Sequence, residues 1–390
     1  MITLQEAFNI VTSDLPLTGI ETIDFRLANG RVLAEDIFSD IDMPPFDKSA
    51  VDGYACRRAD IGSPMRLLEV IAAGKSPEMV IEEGCCSKIM TGAMLPENAD
   101  CVVMVEQTIE SETVVTITDQ KTKNNIAHRA EDLKKGALVI PKSTLLHPQH
   151  IAVLASVGAV GIDVYKKARI CIFSTGDELV EPEVEPGKSQ IRNSNGCQLV
   201  SQAARMGAAV VYGGIIPDDE EITRKKLFEA FREYDVIILS GGISMGDFDF
   251  VPKILNELQV DLMFRSIAVQ PGKPTVFGRT GNKFVFALPG NPVSSFNIFE
   301  ILARPFIYRL MGHPWKPLIL RLPLTIDFNR KGTERHGFVP ATIQDDGSVQ
   351  PLAYNGSAHI NALINAHALM SIPLGVATIQ KGELVDVRLI

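Results

Sequence analysis

The sequence predicts a multidomain protein with a central doubly wound, mostly parallel α/β domain, a β-rich inserted domain, a helical or mixed linking domain and a C-terminal small β-barrel. Strands and helices alternate from about residue 166 to 311, which is typical of a parallel sheet with helices on both faces. Short β-type runs occupy about residues 41 to 140, and strands return after about residue 317. The predicted domains are 1–41 with 140–165 (linking and dimerisation), 42–139 (β-rich), 166–314 (α/β) and 315–390 (β-barrel).

The first predicted element is a helix. Thr3 and Glu6 have the spacing of a capping box, and apolar residues follow at helical intervals. In the next segment, β-type runs are separated by Gly, Pro and Asn turns. A second helix then has Pro148 near its first turn and Gly158 just past its end. Because helical segments flank the β-rich block, we expect the segments 1–41 and 140–165 to pack together as one discontinuous domain.

The central segment carries the strongest pattern. Every residue from Val236 to Leu239 is apolar, which is typical of a strand covered on both faces. The predicted strands are Ala168–Phe173, Ala208–Ile215, Val236–Leu239 and Phe284–Leu288. The predicted helices are Gln198–Met206, Glu220–Arg232 and Pro292–Leu310. Further on, the runs 337–343 and 348–352 flank a turn at Gly347 and predict a hairpin of the C-terminal barrel.

Composition and charge exclude several classes of protein. The chain has 390 residues, of which 46% are hydrophobic and 22% charged, as in ordinary globular proteins. No apolar run is long enough to span a bilayer, and the N-terminus lacks signal-peptide features, so we expect a cytoplasmic protein without a membrane partner. The six cysteines show no metal-ligand spacing and are expected to be free thiols. A net charge of −9 argues against nucleic acid as the partner.

Four polar loops follow the predicted strands. They are 174–178, 217–219, 240–249 and 288–294, and the carboxyl ends of parallel strands would bring them to one edge of the sheet. Glycines at 241, 242 and 290 let backbone N–H groups approach anionic oxygens, and Lys273 supplies a fixed positive charge. The carboxylates suit phosphate chemistry when Mg²⁺ bridges them to the phosphate oxygens, and they are Glu178, Asp218, Asp247 and Asp249.

Any one of these loops is equally typical of an ordinary turn, because Asp and Gly are common turn formers. Asp219, for example, is also placed to cap the following helix. The convergence of all four loops favours a phosphorylated or nucleotide-like ligand with a divalent metal. The residues alone do not name a reaction.

Together with two further motifs, 47–55 (Asp-Lys-Ser-Ala-Val-Asp-Gly-Tyr-Ala) and 90–93 (Met-Thr-Gly-Ala), the loops resemble the molybdopterin molybdenumtransferases, the MoeA family that includes the E domain of gephyrin. The resemblance runs over nearly the whole chain, with the motifs in the family's order. It implies an elongated homodimer with its active site at the subunit interface. It also implies Mg²⁺-dependent insertion of molybdate into adenylylated molybdopterin with release of AMP, a step of molybdenum cofactor biosynthesis.

The resemblance implies site residues by motif. Asp52 and Thr91 of one subunit would face the α/β domain of the other, and Arg335 and Ser357 would contact molybdate. The expected catalytic residues are Asp52, Asp132, Asp249, Lys273 and Ser294, and the expected metal ligands are the four carboxylates Glu178, Asp218, Asp247 and Asp249. The expected substrate-binding residues are Thr91, Ser174, Thr175, Gly176, Gly241, Gly242, Ser244, Gln270, Pro289, Gly290, Asn291, Pro292, Arg335 and Ser357.

One departure concerns the oxyanion. Gln270 stands where many members carry Lys, Ser266 replaces an often basic residue, and Arg265 lies next to it. Loss of a cation would weaken molybdate binding by about 1–3 kcal/mol, the scale of a charge-assisted hydrogen bond. A tungstate-inserting homologue is therefore an alternative. A second alternative is the related adenylyltransferase, a single-domain protein that shares the α/β core but has no counterpart of the rest of this chain. A third is a non-catalytic scaffold of the same fold.

Overall fold

The structure is a computed structural model that describes residues 1–242, 251–353, 356 and 358–390. Three six-stranded sheets dominate the described part of the chain, with several two-stranded ribbons between them. The first six-stranded sheet lies in the β-rich segment. In spatial order its strands are Cys101–Met104, Gly53–Cys56, Cys85–Ile89, Met65–Ile71, Val114–Ile117 and Thr108–Ser111.

Short ribbons join the segments that flank this sheet. Ile20–Asp24 pairs antiparallel with Gly161–Tyr165, and Ile37–Phe38 pairs antiparallel with Leu138–Ile140. The helix Pro148–Ser156 packs beside them through the buried Leu154. Backbone pairing thus connects the chain before the β-rich sheet with the chain after it. The other ribbons are Lys48–Ser49 with Ile126–Ala127, Leu179–Val180 with Ile191–Arg192, and Phe328–Asn329 with Thr378–Ile379.

The second sheet is the α/β sheet. Its spatial order is Ala209–Ile216, Arg169–Thr175, Val236–Ser240, Lys283–Leu288, Val276–Thr280 and Asp261–Phe264. The first four strands are mutually parallel. Val276–Thr280 runs antiparallel to both of its neighbours, so Asp261–Phe264 again has the direction of the first four. The helices around it are Ser194–Arg205, Glu220–Glu233, Val251–Glu257, Pro292–Ile298 and Arg304–Leu310, and a π-turn over Phe299–Ala303 joins the last two.

Both faces of the α/β sheet are buried. Successive residues of Val236–Ser240 alternate between two hydrophobic clusters, with Ile238 in one and Ile237 in the other. The N-terminal helix Leu4–Thr12, which begins with the expected capping box, places Ala7 and Val11 in the first cluster. This helix, which the predicted boundaries assign to the linking domain, therefore packs against the α/β core, because its apolar face is covered there.

The third sheet lies in the C-terminal segment. Its order is Val269–Gln270, His336–Ile343, Ala368–Ile372, Leu384–Leu389 and Ile319–Pro323, and Val349–Pro351 forms the expected hairpin with His336–Ile343. A bridge between Leu324 and Val349 connects the two sides, so the sheet curls back on itself. The strand Val269–Gln270 comes from the α/β segment and pairs with His336–Ile343, which ties the two segments together. Among the described residues, no helix has the length and apolarity that a membrane crossing needs.

Candidate functional site

Two adjoining cavities lie at the carboxyl edge of the α/β sheet. The glycine-loop cavity, about 690 Å³, is formed by loops that follow the parallel strands, together with residues 192–195. The interdomain cavity, about 700 Å³, lies between the α/β segment and the C-terminal sheet. Pro274, Pro289 and Asn291 line both cavities, so ligands bound in the two would be neighbours.

Close backbone approach explains the glycines of the first cavity. Gly241 has a φ of 98°, and a Cβ there would lie 2.7 Å from Thr175 Oγ1 and 2.8 Å from the Thr175 carbonyl oxygen. A Cβ on Gly290 would lie 3.7 Å from the Gly241 Cα. The loops that carry Thr175, Gly241 and Gly290 therefore pack backbone to backbone. Gly176 and Gly242 also have positive φ and line the cavity, as the loop pattern predicts.

Two asparagines that the sequence reasoning missed support these loops. The Asn195 side chain is 8% exposed, and its Nδ2 donates to Ser240 Oγ and to the Gly290 carbonyl oxygen, both at 2.7 Å. Asn193 caps the same helix and accepts from Ser174 Oγ at 2.9 Å. Ser174 is fully buried and makes this bond, so it supports the loop from below rather than lining the cavity. The polar run Asn193 to Gly196 indicates the helix cap at Asn193, but it does not indicate the bonds of Asn195.

Two carboxylates lie at one side of the glycine-loop cavity. Glu178 and Asp218 line it, and Asp177 and Asp218 exchange backbone-to-carboxylate hydrogen bonds of 3.0 and 3.4 Å. Asp219 instead caps the helix Glu220–Glu233 by accepting from the Ile222 N–H at 2.8 Å. In the described parts of the chain, no three His, Cys, Asp or Glu side chains form a metal cluster. Two carboxylates still fit Mg²⁺, because proteins commonly hold this ion with one or two carboxylates and the substrate's phosphates.

The interdomain cavity is cationic. Lys273, Arg330 and Arg335 line it, and none of its described lining residues is acidic. The Arg330 guanidinium donates to the carbonyl oxygens of Val376, Arg335 and Pro373 at 2.6–2.9 Å, which fixes its position. Lys273 and Arg335 have no ion-pair partner within the described residues. Unpaired cations without a facing carboxylate favour an anionic ligand. Sequence reasoning missed Arg330, since nothing local distinguishes it from a surface arginine.

Gln270 and Ser294 lie on the α/β side of the interdomain cavity. The Gln270 Oε1 atom is buried without a hydrogen-bond partner in the described structure, and Ser294 is only 3% exposed. Gly272 has a φ of 127°, and a Cβ there would lie 2.4 Å from Ile298 Cδ1, so both the backbone conformation and the packing favour glycine where this loop meets the helix. Asn291 and Pro292 begin that helix, and Pro292 lines the glycine-loop cavity.

Besides Ser174, three expected residues lie in neither cavity. Asp52 and Thr91 meet each other in the β-rich segment, where Asp52 Oδ1 accepts from the Thr91 N–H at 2.6 Å and from Thr91 Oγ1 at 2.7 Å. These bonds hold the pKa of Asp52 below its ordinary value, because they stabilise the carboxylate. Asp132 lies near Met43, whose carbonyl oxygen accepts from its N–H at 3.1 Å. Within one chain the structure does not bring these residues to the cavities.

Four other expected residues fall outside the described part of the chain. They are Ser244, Asp247, Asp249 and Ser357.

Known proteins match this chain over its whole length. Residues 2–158 match the MoeA N-terminal region (domain I and II), residues 171–309 the probable molybdopterin binding domain, and residues 321–390 the MoeA C-terminal region (domain IV). A molybdopterin molybdenumtransferase from Staphylococcus epidermidis is 36% identical, over 92% of this chain and 88% of that protein. One from Staphylococcus aureus is 32% identical, over 100% of this chain and 95% of that protein. The chain belongs to the molybdopterin molybdenumtransferase (MoeA) family.

Solved structures agree with the family assignment. The molybdopterin biosynthesis MoeA protein from Pyrococcus horikoshii OT3 superposes with a TM-score of 0.88 at 29% identity, over 100% of both chains. A second Pyrococcus structure with that description has a TM-score of 0.82 at 31% identity, over 100% of this chain and 99% of the other. The MoeA-like multidomain fold is thereby confirmed. Because the match extends through the N-terminal and C-terminal regions, it does not support the single-domain adenylyltransferase alternative.

Proposed function

We propose that this MoeA-family protein is a molybdopterin molybdotransferase that inserts molybdate into adenylylated molybdopterin, with Mg²⁺ and release of AMP, as a homodimer in the cytoplasm. The observation that carries the proposal is the pair of cavities with a shared wall at Pro274, Pro289 and Asn291. One cavity offers glycine loops and carboxylates, which suit a phosphorylated ligand with a divalent cation. The other offers unpaired cations, which suit a free oxyanion.

Each cavity would hold one substrate in reach of the other. The backbone of the loops at Gly241 and Gly290 would hold the phosphate groups of the adenylylated pterin, with Asn195 keeping the two loops in register. Lys273 and Arg335 would hold molybdate across the shared wall. Holding both reactants in fixed positions removes the entropic cost of a bimolecular encounter.

The reaction breaks the bond that joins AMP to the molybdopterin phosphate. Glu178 and Asp218, with Asp247 and Asp249, would hold Mg²⁺, which supplies positive charge that offsets the charge developing on the phosphates. Backbone N–H groups of the glycine loops and Lys273 would stabilise the same charge as fixed donors. An oxygen of water or of the oxyanion would attack the phosphorus of the molybdopterin phosphate. A new P–O bond forms there as the P–O bond to AMP breaks, and AMP leaves with the bonding electron pair.

The homodimer part of the proposal accounts for Asp52, Thr91 and Asp132. These residues lie on the β-rich side of the chain, in neither cavity. A two-fold dimer would let the β-rich segment of one subunit cover the α/β segment of its partner. In that arrangement Asp52, held as a carboxylate by Thr91, would face the substrate.

The decisive experiment is AMP release from adenylylated molybdopterin and Mg²⁺, with molybdate or tungstate added at equal low concentrations. We expect molybdate to trigger release, and Lys273→Met to reduce the response. Lys225→Met, a loss of the same charge on an exposed helix position, serves as the control. Stronger release with tungstate would favour the tungstate-inserting alternative and point to Gln270. No release with either oxyanion would reject the transferase and leave the scaffold.

A further inference from the structure

The long helical segment that starts beside both cavities is interrupted by a π-turn over Phe299–Ala303. Such turns are rare and occur frequently at functional sites. The π-turn contains Glu300, whose side chain is 0% exposed. A fully buried carboxylate is costly unless it is paired, so its contacts identify what it holds.

The Glu300 carboxylate accepts three side-chain hydrogen bonds. Its Oε1 accepts from Gln202 Nε2 and from Arg205 Nη2, both at 2.8 Å, and its Oε2 accepts from Arg304 Nη1 at 2.9 Å. These three partners belong to the α/β segment. The Glu300 carbonyl oxygen faces the other way and accepts from Arg388 on the last strand of the C-terminal sheet.

Trp315 completes this contact. It lies in the connection between the helix Arg304–Leu310 and the strand Ile319–Pro323. The guanidinium of Arg304 lies 4.6 Å from the centre of its ring, and that of Arg388 lies 5.3 Å away. The indole therefore joins a cation of the α/β segment to a cation of the C-terminal sheet. Burial lowers the pKa of Arg388 to about 10, so its guanidinium remains charged at neutral pH.

The same helical segment makes a second bond to the C-terminal sheet. Asn297, 0% exposed, donates from Nδ2 to the Phe338 carbonyl oxygen at 3.1 Å. One turn earlier, Ser294 lines the interdomain cavity. The helix thus touches the cavity at one end and fixes the C-terminal sheet at the other.

We propose that Arg388, Trp315 and Glu300 form an interdomain joint that positions Arg330 and Arg335 opposite Lys273 and thereby sets the affinity for the oxyanion. The proposal rests on the proposed function. The interdomain cavity has one wall on each side of this joint, so a change in the angle between the segments changes the distance between its cations. The glycine-loop cavity is lined mainly by the α/β segment, so a change in the angle between the segments alters its shape far less. Arg388 is accordingly a positioning residue with an effect on one substrate.

The test compares Arg388→Met with the wild-type enzyme. Methionine keeps an unbranched side chain of similar reach but removes the donor and the charge. We expect the KM for molybdate to rise on the order of tenfold to a hundredfold, the cost of a small misplacement distant from the chemistry, while the KM for adenylylated molybdopterin stays unchanged. Arg388→Lys, which keeps the charge over Trp315, should recover part of the loss. Arg321→Met is the matched control, since Arg321 lies on the neighbouring strand in an exposed ion pair with Asp386.

A merely structural role would lower the melting temperature and kcat and leave both KM values alone, and that result would overturn the proposal. An equal rise in both KM values would overturn it as well. If Arg388→Met does not fold, Trp315→Phe is the second variant. It replaces the indole that Arg304 and Arg388 contact by a smaller ring, and we again expect only the KM for molybdate to rise. Equilibrium dialysis measures the dissociation constant of molybdate for each variant without any turnover. Wild-type protein that binds molybdate but releases no AMP would reject the proposed function alone, and weaker binding by the Arg388 variant would still support the joint.

Discussion

At the residue scale, Asp52 shows how one neighbouring residue can stabilise a carboxylate through its backbone N–H and its hydroxyl. Thr91 gives Asp52 two hydrogen bonds, and both lower the pKa of the carboxyl group. Because the folded pKa is lowered, the stabilisation is present above the ordinary pKa of an aspartate and is lost as pH falls through the folded pKa. Thr91→Val removes the side-chain donor, and we expect the Asp52 titration midpoint to move upward, as followed by NMR of the carboxyl carbon. Thr116→Val, an exposed position of the same sheet, should leave it unmoved. An unchanged midpoint in Thr91→Val would show that the backbone N–H of residue 91 alone lowers the Asp52 pKa and that the hydroxyl contributes nothing.

Gln270 provides the second residue-scale prediction. It lines the cationic cavity without adding a charge, and its Oε1 atom is buried without a partner in the described structure. Gln270→Lys places a third free cation beside Lys273 and Arg335. We expect molybdate binding to strengthen by about 1–3 kcal/mol, the scale of one charge-assisted hydrogen bond, measured by calorimetry. Gln149→Lys adds the same charge at an exposed helix position and controls for the change in net charge. Weaker binding by Gln270→Lys would mean that the buried amide, and not charge, determines the fit.

Glycine and carboxylate positions were predictable from the sequence because few residue types serve at a tight anionic turn. Gly241, Gly290, Glu178 and Asp218 all line the cavity that the loop pattern predicts. The role of Asn195 was not predictable from the sequence, because its side chain bonds to two loops that are 45 and 95 residues away in the chain. Spacing carries no sign of such a bond.

At the element scale, the parallel strands were predicted within one or two residues. Their apolar runs are bounded by polar turns, which makes both ends visible, as with Val236–Ser240. The strands Asp261–Phe264 and Val276–Thr280, which pair antiparallel with each other at the edge of the sheet, were missed, since the alternation pattern predicts only parallel strands joined by helices. The π-turn was missed as well, because the hydrophobic pattern of residues 292–310 is that of one continuous α-helix. Glu300 in that turn is held by Gln202 and Arg205 of another helix and by Arg388 of a distant strand, and no local pattern reveals these contacts.

The loop after Val236–Ser240 gives the element-scale prediction. Gly241→Ala adds a methyl group against Thr175 and forces an L-residue into positive φ. The conformation alone costs about 1–2 kcal/mol. Gly281→Ala, at a φ of 56° with no atom within 4 Å of the new Cβ, isolates that conformational cost. We therefore expect Gly241→Ala to lose more free energy of unfolding than Gly281→Ala in urea titrations, and to lose AMP release as well. Equal losses of stability would show that the loop moves away from Thr175 without penalty.

At the scale of the whole molecule, the local charge of the interdomain cavity is opposite in sign to the net charge of the chain. The chain carries a net charge of −9, yet none of the described residues that line the interdomain cavity is acidic. A cationic cavity inside an acidic protein attracts small oxyanions locally and offers little to polyanions such as nucleic acid. The cavity depends on two segments that are distant in sequence. In the proposed homodimer, the residues carried over by resemblance on the β-rich side would in addition need a further subunit. Only the resemblance, and no pattern within one chain, indicated that second requirement.

Subunit complementation tests that requirement directly. If Asp52 of one subunit faces Lys273 of its partner, then Asp52→Asn and Lys273→Met homodimers each lose activity for different reasons. A mixed dimer contains one site with both residues intact and one with neither, by two-fold symmetry. Random mixing of equal amounts should therefore restore about a quarter of the wild-type rate of AMP release, since half of the dimers are mixed and each has one working site. Mixing Lys273→Met with Gly241→Ala is the control: both residues belong to the α/β side, so every site keeps one defect and no activity returns. Recovery in the control, or none in the first mixture, would show that Asp52 and Lys273 do not meet across a subunit interface.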